Sequence, residues 1–176
     1  WLESVLAANG NPDVECLVAP RELLETVAGF DIHRGVLASG IRAPLEGRTL
    51  QDSLPEQGRP ATVLCCESLN NIDNIGMIFR ISAAFGVDAV LLNPACHDPL
   101  YRKSLRVSIG HALNIPFVRS VDWAADLQSL RNNHGFTVLG SALGNNTIPH
   151  NQFALPHTQR RVAIVLGSEF EGLTED

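Results

Sequence analysis

Five short apolar runs divide the chain from Ala61 onward, and none of them alternates between polar and apolar positions. Helical stretches separate the first four runs. Strands that are apolar at successive positions are buried on both faces, which is typical of a parallel sheet covered by helices on both sides. The sequence therefore predicts an α/β domain. The predicted strands are Thr62–Cys66, Ala89–Asn93, Ile115–Arg119, Phe136–Ala142 and Val162–Leu166, and the predicted helices are Asn74–Phe85, Leu100–His111 and Asp122–Asn133.

The predicted α/β domain spans residues 61–176. Ahead of it, the sequence predicts a small α+β module at residues 1–42 and a linker at residues 43–60. The linker segment holds three prolines and two glycines with little periodicity, which is typical of a domain boundary. The chain opens at Trp1 rather than Met, so we expect the start of the module to be missing. The elements predicted in the module are a helix at Trp1–Ala8, a strand at Val14–Ala19, a helix beginning at Pro20 and a strand at Gly35–Ser39.

The composition narrows the class of protein. With 176 residues, 45% of them hydrophobic, the chain can bury a core. No apolar run reaches the roughly 18 residues that a transmembrane helix needs. The cysteines Cys16, Cys65, Cys66 and Cys96 show no CxxC spacing, which favours reduced thiols in a cytosolic protein over a disulfide framework. The six histidines show no ligand spacing, so we expect no metal site.

The charges are unevenly distributed. The net charge of −6 argues against a surface that is basic all over. Residues 75–119 are the exception, because they carry five basic side chains against two acidic ones. A local basic region on an acidic body suits a polyanion that docks in one place. The basic residues are Arg80, Arg102, Lys103, Arg106 and Arg119.

One arginine, Arg80, interrupts a helix that is otherwise largely apolar. With Asn74 as the N-cap, the helical period predicts a core-facing stripe and places Arg80 about 60° away from it. Small residues around the arginine predict an open floor beside it. The predicted core residues are Met77, Ile78, Ile81 and Phe85, and the small residues are Gly76, Ala83 and Ala84.

The guanidinium of Arg80 is expected to point toward the start of its helix, about 9 Å away along the axis, because helical side chains lean toward the N-terminus. Unpaired backbone N–H groups and the positive end of the helix dipole lie there, so a phosphate can sit between them and the arginine. The alternative is a surface arginine that forms an ion pair with Asp73 or Glu67, and helix geometry alone does not separate the two.

A second turn, Gly167–Leu173, carries glycines and carboxylates directly after an apolar strand, and taken alone it favours an ordinary strand-to-helix turn. The two segments together read Asn-x-Gly-x-Ile-x-Arg with a following Phe-Gly, then Gly-Ser-Glu-x-x-Gly-Leu. This order resembles the SpoU (TrmH) family of RNA 2′-O-ribose methyltransferases, in the SPOUT superfamily. The segments Asp98–Lys103, Arg106–Gly110 and Gly29–Ala38 resemble the same family, so the resemblance covers nearly the whole chain.

The resemblance implies a knotted, Rossmann-like α/β domain that binds S-adenosylmethionine, works as a cytoplasmic homodimer and methylates rRNA or tRNA. It also implies that the N-terminal module binds RNA. Arg80 would be the catalytic residue, Asn74 would position it, and Glu169 would support the active site. The residues that would bind the cofactor are Ser141, Ala142, Leu143, Leu166, Gly167 and Ser168.

Several basic side chains are candidates for contact with RNA. Arg102 and Arg106 share a helix face, with Lys103 close by. This pattern is compatible with contact to the RNA backbone and also with an ordinary solvated surface. His33 and Arg34 precede a glycine at a predicted strand start in the N-terminal module, and they are weaker candidates for the same role.

The chemistry fits a charged Arg80 better than a neutral one. Holding a guanidinium neutral near pH 7 costs roughly 7 kcal/mol, because its pKa is about 12 or more. We therefore expect Arg80 to remain charged, clamp the phosphate of the target nucleotide and stabilise the developing alkoxide. The proton of the hydroxyl would leave to a phosphate oxygen or to water.

The chain departs from the family pattern in one respect. The family's third motif is a Ser-Leu-Asn segment that follows the Gly167–Leu173 turn, and no such segment follows that turn before Asp176. We expect a fragment of a longer protein rather than a degraded relative, and we expect the chain as given to bind the cofactor poorly. A non-catalytic RNA-binding or assembly protein is the alternative. A dinucleotide-binding enzyme is disfavoured, because no G-x-G-x-x-G follows Thr62–Cys66.

Overall fold

The computed structural model describes residues 17–32, 38–144, 147–155 and 160–174. The chain divides into two units, residues 1–40 and residues 41–176. In the first unit, helix α1 (Arg21–Ala28) begins after Pro20, as predicted, and ends at Gly29 in the left-handed conformation. Residues 17–19 and 38–39 are not in strands. The predicted helix at residues 1–8, and most of the two strands predicted for this unit, lie outside the described residues.

The second unit is built on a five-stranded sheet in which every neighbouring pair of strands is parallel. The strand order is β3-β2-β1-β5-β4. All five predicted strands are confirmed, with ends that differ by at most two residues. The observed strands are β1 (Ala61–Cys66), β2 (Ala89–Leu92), β3 (Phe117–Arg119), β4 (Thr137–Ser141) and β5 (Arg161–Leu166).

Five α-helices are described in the second unit, together with short 3-10 turns at His111–Leu113 and His150–Gln152. The predicted helix at Leu100–His111 is shorter than expected, because Ile109 and Gly110 adopt positive φ angles of 54° and 80° that end the α-helical hydrogen bonding. The helices are α2 (Ala43–Glu46), α3 (Leu50–Ser53), α4 (Ile72–Phe85), α5 (Arg102–Val107) and α6 (Trp123–Asn132).

Side chains from successive positions of β1 and β2 enter two separate core clusters, as expected for a sheet covered on both faces. One cluster contains Val63 and Cys65 and packs against residues of α3 and α6. The other contains Cys66 and packs against α4, where Phe79 meets Phe117 edge to face with ring centroids 5.8 Å apart.

The described cysteines behave as small hydrophobic residues, which confirms the prediction of reduced thiols for them. Cys65, Cys66 and Cys96 are free and buried. Burial raises the pKa of the Cys65 thiol to about 12, and it also raises the pKa values of Cys66 and Cys96. Among the described residues, no helix is both long and apolar enough to cross a membrane.

Residues 43–60 fold with the sheet, so their prediction as a linker is wrong. Helix α3 begins at a capping box formed by Thr49 and Asp52, and it buries Leu50 in the core. Leu54 packs against the same cluster. Because these side chains are held by the core, the boundary between the two units falls after Gly40 instead.

The start of α4 also differs from the prediction. Asn71, not Asn74, is the N-cap: its Oδ1 accepts hydrogen bonds from the backbone N–H groups of Asp73 (2.8 Å) and Asn74 (3.2 Å). The helix therefore begins at Ile72. Because Asn71 provides the cap, the side chain of Asn74 is not needed for capping and can form a hydrogen bond with another residue.

The predicted core face of α4 is confirmed only for Ile78, which is half-buried against the core, and is wrong for the other three residues. Met77 and Ile81 are each 41% exposed, and Phe85 is 82% exposed. The helix is apolar around most of its circumference, so periodicity alone could not choose between two apolar stripes. The buried residues are Ile75, Gly76, Phe79 and Ser82.

Arg161, at the start of β5, ties the 55–59 segment to the sheet although only 7% of its surface is exposed. Its guanidinium donates hydrogen bonds to the carbonyl oxygens of Pro55, Glu56, Arg59 and His134 at 2.9–3.2 Å. It also lies over the ring of Phe136, 4.4 Å from the centroid. A buried charge is tolerated here because several acceptors surround it.

We expect Arg161→Met to lower the free energy of unfolding by about 3 kcal/mol, because four carbonyl groups would lose their donor at a buried site. Chemical denaturation followed by circular dichroism measures the change. Arg160→Met is the matched control, since Arg160 is the exposed neighbour and the same substitution there should change stability by less than about 0.5 kcal/mol. Equal effects of the two substitutions would contradict the role assigned to Arg161.

Candidate active site

The loops that follow β1, β5 and β4 lie side by side at one edge of the sheet. Cys66 pairs with Leu166, and Leu166 pairs with Ser141, so the three strands end level with one another. The backbone N–H of Glu67 extends this ladder by donating to the carbonyl of Leu166 at 2.8 Å. The carboxyl edge of parallel strands is where open α/β sheets bind their ligands.

The turn after β5 is closed tightly. Ser168 and Gly172 form an isolated antiparallel bridge, and the hydroxyl of Ser168 accepts a hydrogen bond from the N–H of Glu171 at 3.0 Å. A Cβ atom on Gly167 would lie 2.1 Å from the carbonyl oxygen of Gly172, so only glycine fits at residue 167. The closure leaves the side chains of residues 169–171 exposed at the tip of the turn.

This turn and the start of α4 face each other across a cleft of about 400 Å³. The amide Nδ2 of Asn74 donates a hydrogen bond to Oε1 of Glu169 at 2.9 Å, although the two residues are 95 positions apart. The structure therefore brings together two of the three residues that the family resemblance assigned to catalysis. The cleft is lined by Ser68, Leu69, Asn70, Asn71, Asn74, Ser168, Glu169, Phe170 and Glu171.

Arg80 lies on the same helix, about 9 Å along the axis from Asn74, and its side chain is exposed. It does not line the cleft. Neither carboxylate considered as an ion-pair partner takes that role, because Asp73 binds Lys103 and Glu67 accepts from Thr174, each at 2.7 Å. Within the described part of the chain, Arg80 forms no ion pair, which leaves its charge open to an external anion.

Gly76 has a different role from the one predicted for it. It is buried rather than part of an open floor beside Arg80. A Cβ atom there would lie 2.6 Å from Cβ of Val107 and 2.9 Å from the carbonyl oxygen of Ser104. The missing side chain therefore lets α5 pack directly on α4.

The close packing of α5 brings its basic residues beside α4. Arg102, Lys103 and Arg106 are all exposed, and Nζ of Lys103 lies 2.7 Å from Oδ2 of Asp73 in the first turn of α4. The other two candidates for RNA contact, His33 and Arg34, lie outside the described residues. The described candidates thus form one basic surface alongside the helix that carries Arg80.

The residues predicted to bind the cofactor lie at the ends of β4 and β5. Ser141 and Leu166 are register partners, and residues 141–143 are exposed. In the described part of the chain, the N–H and C=O groups of Ala142 and Leu143 take no part in a backbone hydrogen bond. Free backbone groups at this edge suit the hydrogen bonds that an adenosine group needs, so the residues fit the implied cofactor. Of the six, only Ser168 lines the cleft.

Two buried polar residues at this edge were missed from the sequence. Asn93 directly follows β2, and its Oδ1 accepts hydrogen bonds from the N–H groups of Ser68 (3.0 Å) and Ala95 (3.1 Å). This holds Ser68 at a φ of 55°, in the left-handed region, where it borders the cleft. Glu67, only 4% exposed, anchors Thr174 beyond the turn. Polar residues directly after apolar strands are the signal that could have identified both.

The chain has several similarities to known proteins. Residues 61–176 match the family model described as the SpoU rRNA methylase family. An uncharacterized tRNA/rRNA methyltransferase of Mycobacterium tuberculosis is 38% identical over 89% of this chain and 52% of its own length. The 23S rRNA (guanosine-2′-O-)-methyltransferase RlmB of Acinetobacter baylyi is 27% identical over 88% of this chain and 61% of its own length. The chain thus spans only about half to three fifths of these relatives.

Solved structures support the same assignment at the level of the fold. An AdoMet-bound rRNA methyltransferase from Sinorhizobium meliloti superposes with a TM-score of 0.60 and 21% identity, over 72% of this chain and 46% of that one. The SpoU methyltransferase AviRb from Streptomyces viridochromogenes, in complex with AdoMet, superposes with a TM-score of 0.59 and 22% identity, over 70% of this chain and 46% of that one. The parallel five-stranded α/β sheet therefore matches the fold of SpoU methyltransferase structures. AdoMet is S-adenosylmethionine, the cofactor that the resemblance implies and on which the family depends. The family model matches about two thirds of the chain, and the two motifs face each other at the edge of the sheet, so the chain belongs to the SpoU rRNA methylase family.

Proposed function

We propose that the protein is an S-adenosylmethionine-dependent RNA methyltransferase that modifies a ribose 2′-hydroxyl of rRNA or tRNA. The observation that carries the proposal is the hydrogen bond between Asn74 and Glu169, which joins the two motifs across the cleft. The name of the Acinetobacter relative, a guanosine-2′-O-methyltransferase, supports ribose as the acceptor. The family assignment supports a transferase.

Arg80 acts as a charged clamp in this proposal. Its guanidinium holds the phosphate of the target nucleotide and stabilises negative charge that develops on the ribose oxygen. The absence of an ion-pair partner among the described residues supports this role, because no carboxylate has to be displaced. The proton of the hydroxyl leaves to a phosphate oxygen or to water.

Asn74 and Glu169 keep the reacting groups in place. Their hydrogen bond fixes the start of α4 against the turn after β5, so the helix that carries Arg80 is held relative to the cofactor edge. Holding reactants within near-attack distance supplies much of the rate in reactions of this kind. Oε2 of Glu169 accepts no hydrogen bond from a described residue, so it can accept one from the substrate.

The cofactor and the RNA approach from different sides. Backbone groups of residues 141–143 and 166–168 hold S-adenosylmethionine, which supplies a methyl group on a positively charged sulfur. The basic surface of α5 (Arg102, Lys103 and Arg106) holds the RNA backbone. In the whole protein, the N-terminal unit, through His33 and Arg34, adds RNA contacts, and two copies of the chain assemble as a homodimer.

We expect Arg80→Ala in the full-length protein to lower kcat about 10²- to 10³-fold, the usual cost of losing one group that stabilises developing charge. Methyl transfer from radiolabelled S-adenosylmethionine to RNA from cells that lack the gene measures this. Arg131→Ala is the control, since Arg131 is an exposed arginine on α6, away from the cleft, and its loss should leave kcat unchanged. Unchanged activity in the Arg80 variant would remove the basis of the proposed mechanism.

The pH–rate profile distinguishes a charged clamp from a general base. If Arg80 remains protonated throughout, wild type and Arg80→Lys should show profiles of the same shape between about pH 6 and 9, because both side chains stay charged there. The variant should be slower, since lysine cannot make the bidentate contact of arginine. An ionisation that is present in the wild-type profile and absent from that of Arg80→Lys would show that Arg80 itself loses a proton.

The link between Asn74 and Glu169 predicts non-additive kinetics. Asn74→Ala and Glu169→Ala should each reduce kcat/KM, and the double variant should be only slightly worse than the poorer single one, with a coupling of about 1–3 kcal/mol. Asn74→Ala with Glu171→Ala is the matched control pair. Glu171 lines the same cleft, but its carboxylate does not bond to Asn74, so those effects should add.

Isothermal titration with S-adenosylmethionine separates the enzyme from a non-catalytic RNA-binding protein of the same fold. The full-length protein should bind the cofactor, whereas a scaffold that has lost the pocket should show no binding. An enzyme and a scaffold would both bind RNA, so only binding of the cofactor distinguishes them.

A further inference from the structure

Phe170 occupies an unusual position for a large apolar side chain. It lies at the tip of the turn after β5, is 97% exposed, and borders the cleft beside Glu169. The turn is held by the Ser168–Gly172 bridge and by the hydroxyl of Ser168, so the position of residue 170 is fixed even though its ring packs against little. An aromatic side chain on a restrained backbone has only two side-chain torsions to order, so it is a binding surface that costs little conformational entropy to use.

Asn70 provides polar groups in the same cleft. Its side chain is exposed and forms no hydrogen bond with any residue in the described part of the chain. The neighbouring Asn71 uses only Oδ1, as the cap of α4, and leaves its Nδ2 group available. The cleft therefore offers amide donors and an amide acceptor opposite an aromatic face, within a volume in the roughly 300–1,000 Å³ range of small-molecule sites.

The charges in the cleft disfavour a phosphate as its occupant, in contrast to the expectation that a phosphate sits at the start of α4. Glu169 and Glu171 both line it, and no described basic residue does. The unpaired guanidinium of Arg80 lies about 9 Å along the helix from Asn74, outside the cleft. An uncharged planar group with hydrogen-bonding edges fits the cleft, whereas its attached phosphate fits the neighbouring arginine.

We propose that this cleft receives the base of the nucleotide to be methylated, stacked on the ring of Phe170 and read along its edge by Asn70. The inference rests on the proposed function and adds the residues that select the target. Single-stranded or extruded RNA bases are recognised in this way, by aromatic stacking and by hydrogen bonds to their edges. Phe170 supplies affinity for any base, and Asn70 supplies the preference among bases.

The adenine of the cofactor has the same chemistry as a target base, so the experiment must separate the two. Full-length protein is first saturated with S-adenosylmethionine, which fills the cofactor site. The four ribonucleoside 5′-monophosphates are then titrated, with ribose 5-phosphate as the probe that lacks a base. NMR signals of the side-chain amide of Asn70 and of residue 170 report binding in the cleft.

In wild type, the nucleotides should bind on the order of tenfold more tightly than ribose 5-phosphate, the usual effect of one base–aromatic stack. Phe170→Ala should abolish this difference, and Phe170→Trp should restore it. Phe85→Ala is the matched control, because Phe85 is also largely exposed (82%), on α4, but does not line the cleft. Asn70→Asp, which replaces an amide donor by an acceptor, should change the order of preference among the four nucleotides.

The inference is overturned if nucleotides and ribose 5-phosphate bind the cofactor-saturated protein alike. It is also overturned if Phe170→Ala weakens binding of S-adenosylmethionine and leaves nucleotide binding unchanged, since the cleft would then hold the cofactor. Failure of the proposed function looks different: nucleotides would still stack on Phe170, but the wild-type protein would transfer no methyl group to RNA.

Discussion

The parallel pairing of β1 with β5 is the constraint on which the site depends. Ala61 pairs with Arg161, and the ladder runs in register to Cys66 and Leu166, so segments about a hundred residues apart end at the same level. The loops that follow then face each other, which brings Asn74 within 2.9 Å of Glu169. A slip of one residue would turn every side chain of β5 to the opposite face and separate the two motifs.

The two edges of the sheet are built for different tasks. At the amino edge, Arg161 satisfies carbonyl groups from the 55–59 segment and from the end of α6, so polar groups there are used within the protein. At the carboxyl edge, buried groups such as Asn93 hold the loops, while the side chain of Asn70 and the backbone groups of residues 142–143 form no hydrogen bond with the described residues and stay available. Rigid support beneath unsatisfied polar groups is what a binding site requires.

The sheet was predictable because burial on both faces leaves a strong local signal, an unbroken apolar run. The buried face of α4 was not, since the helix is apolar on two sides and only its packing on the sheet, where Phe79 meets Phe117, decides that Ile75 and Phe79 are buried. The use of Gly76 as a packing contact depends on a second neighbour, α5. The linker prediction failed for a related reason, because prolines and glycines mark turns without revealing that Leu50 between them is buried. The motif residues were identified by family resemblance, whereas the partners of Asn93 and Glu67 depend on how the loops fold, although the position of both residues directly after apolar strands marks them in the sequence.

The arrangement of charges along α4 explains why the base and the phosphate of the target nucleotide would bind at different places in the proposed site. Carboxylates of Glu169 and Glu171 lie at the start of the helix, where they favour an uncharged group and a cationic sulfonium over a phosphate. Arg80 lies about two turns later, beside the basic face of α5. A ribose that sits between a base in the cleft and a phosphate on Arg80 is therefore held at both ends. Its hydroxyl can then move little relative to the cofactor edge, which is the positioning that methyl transfer needs.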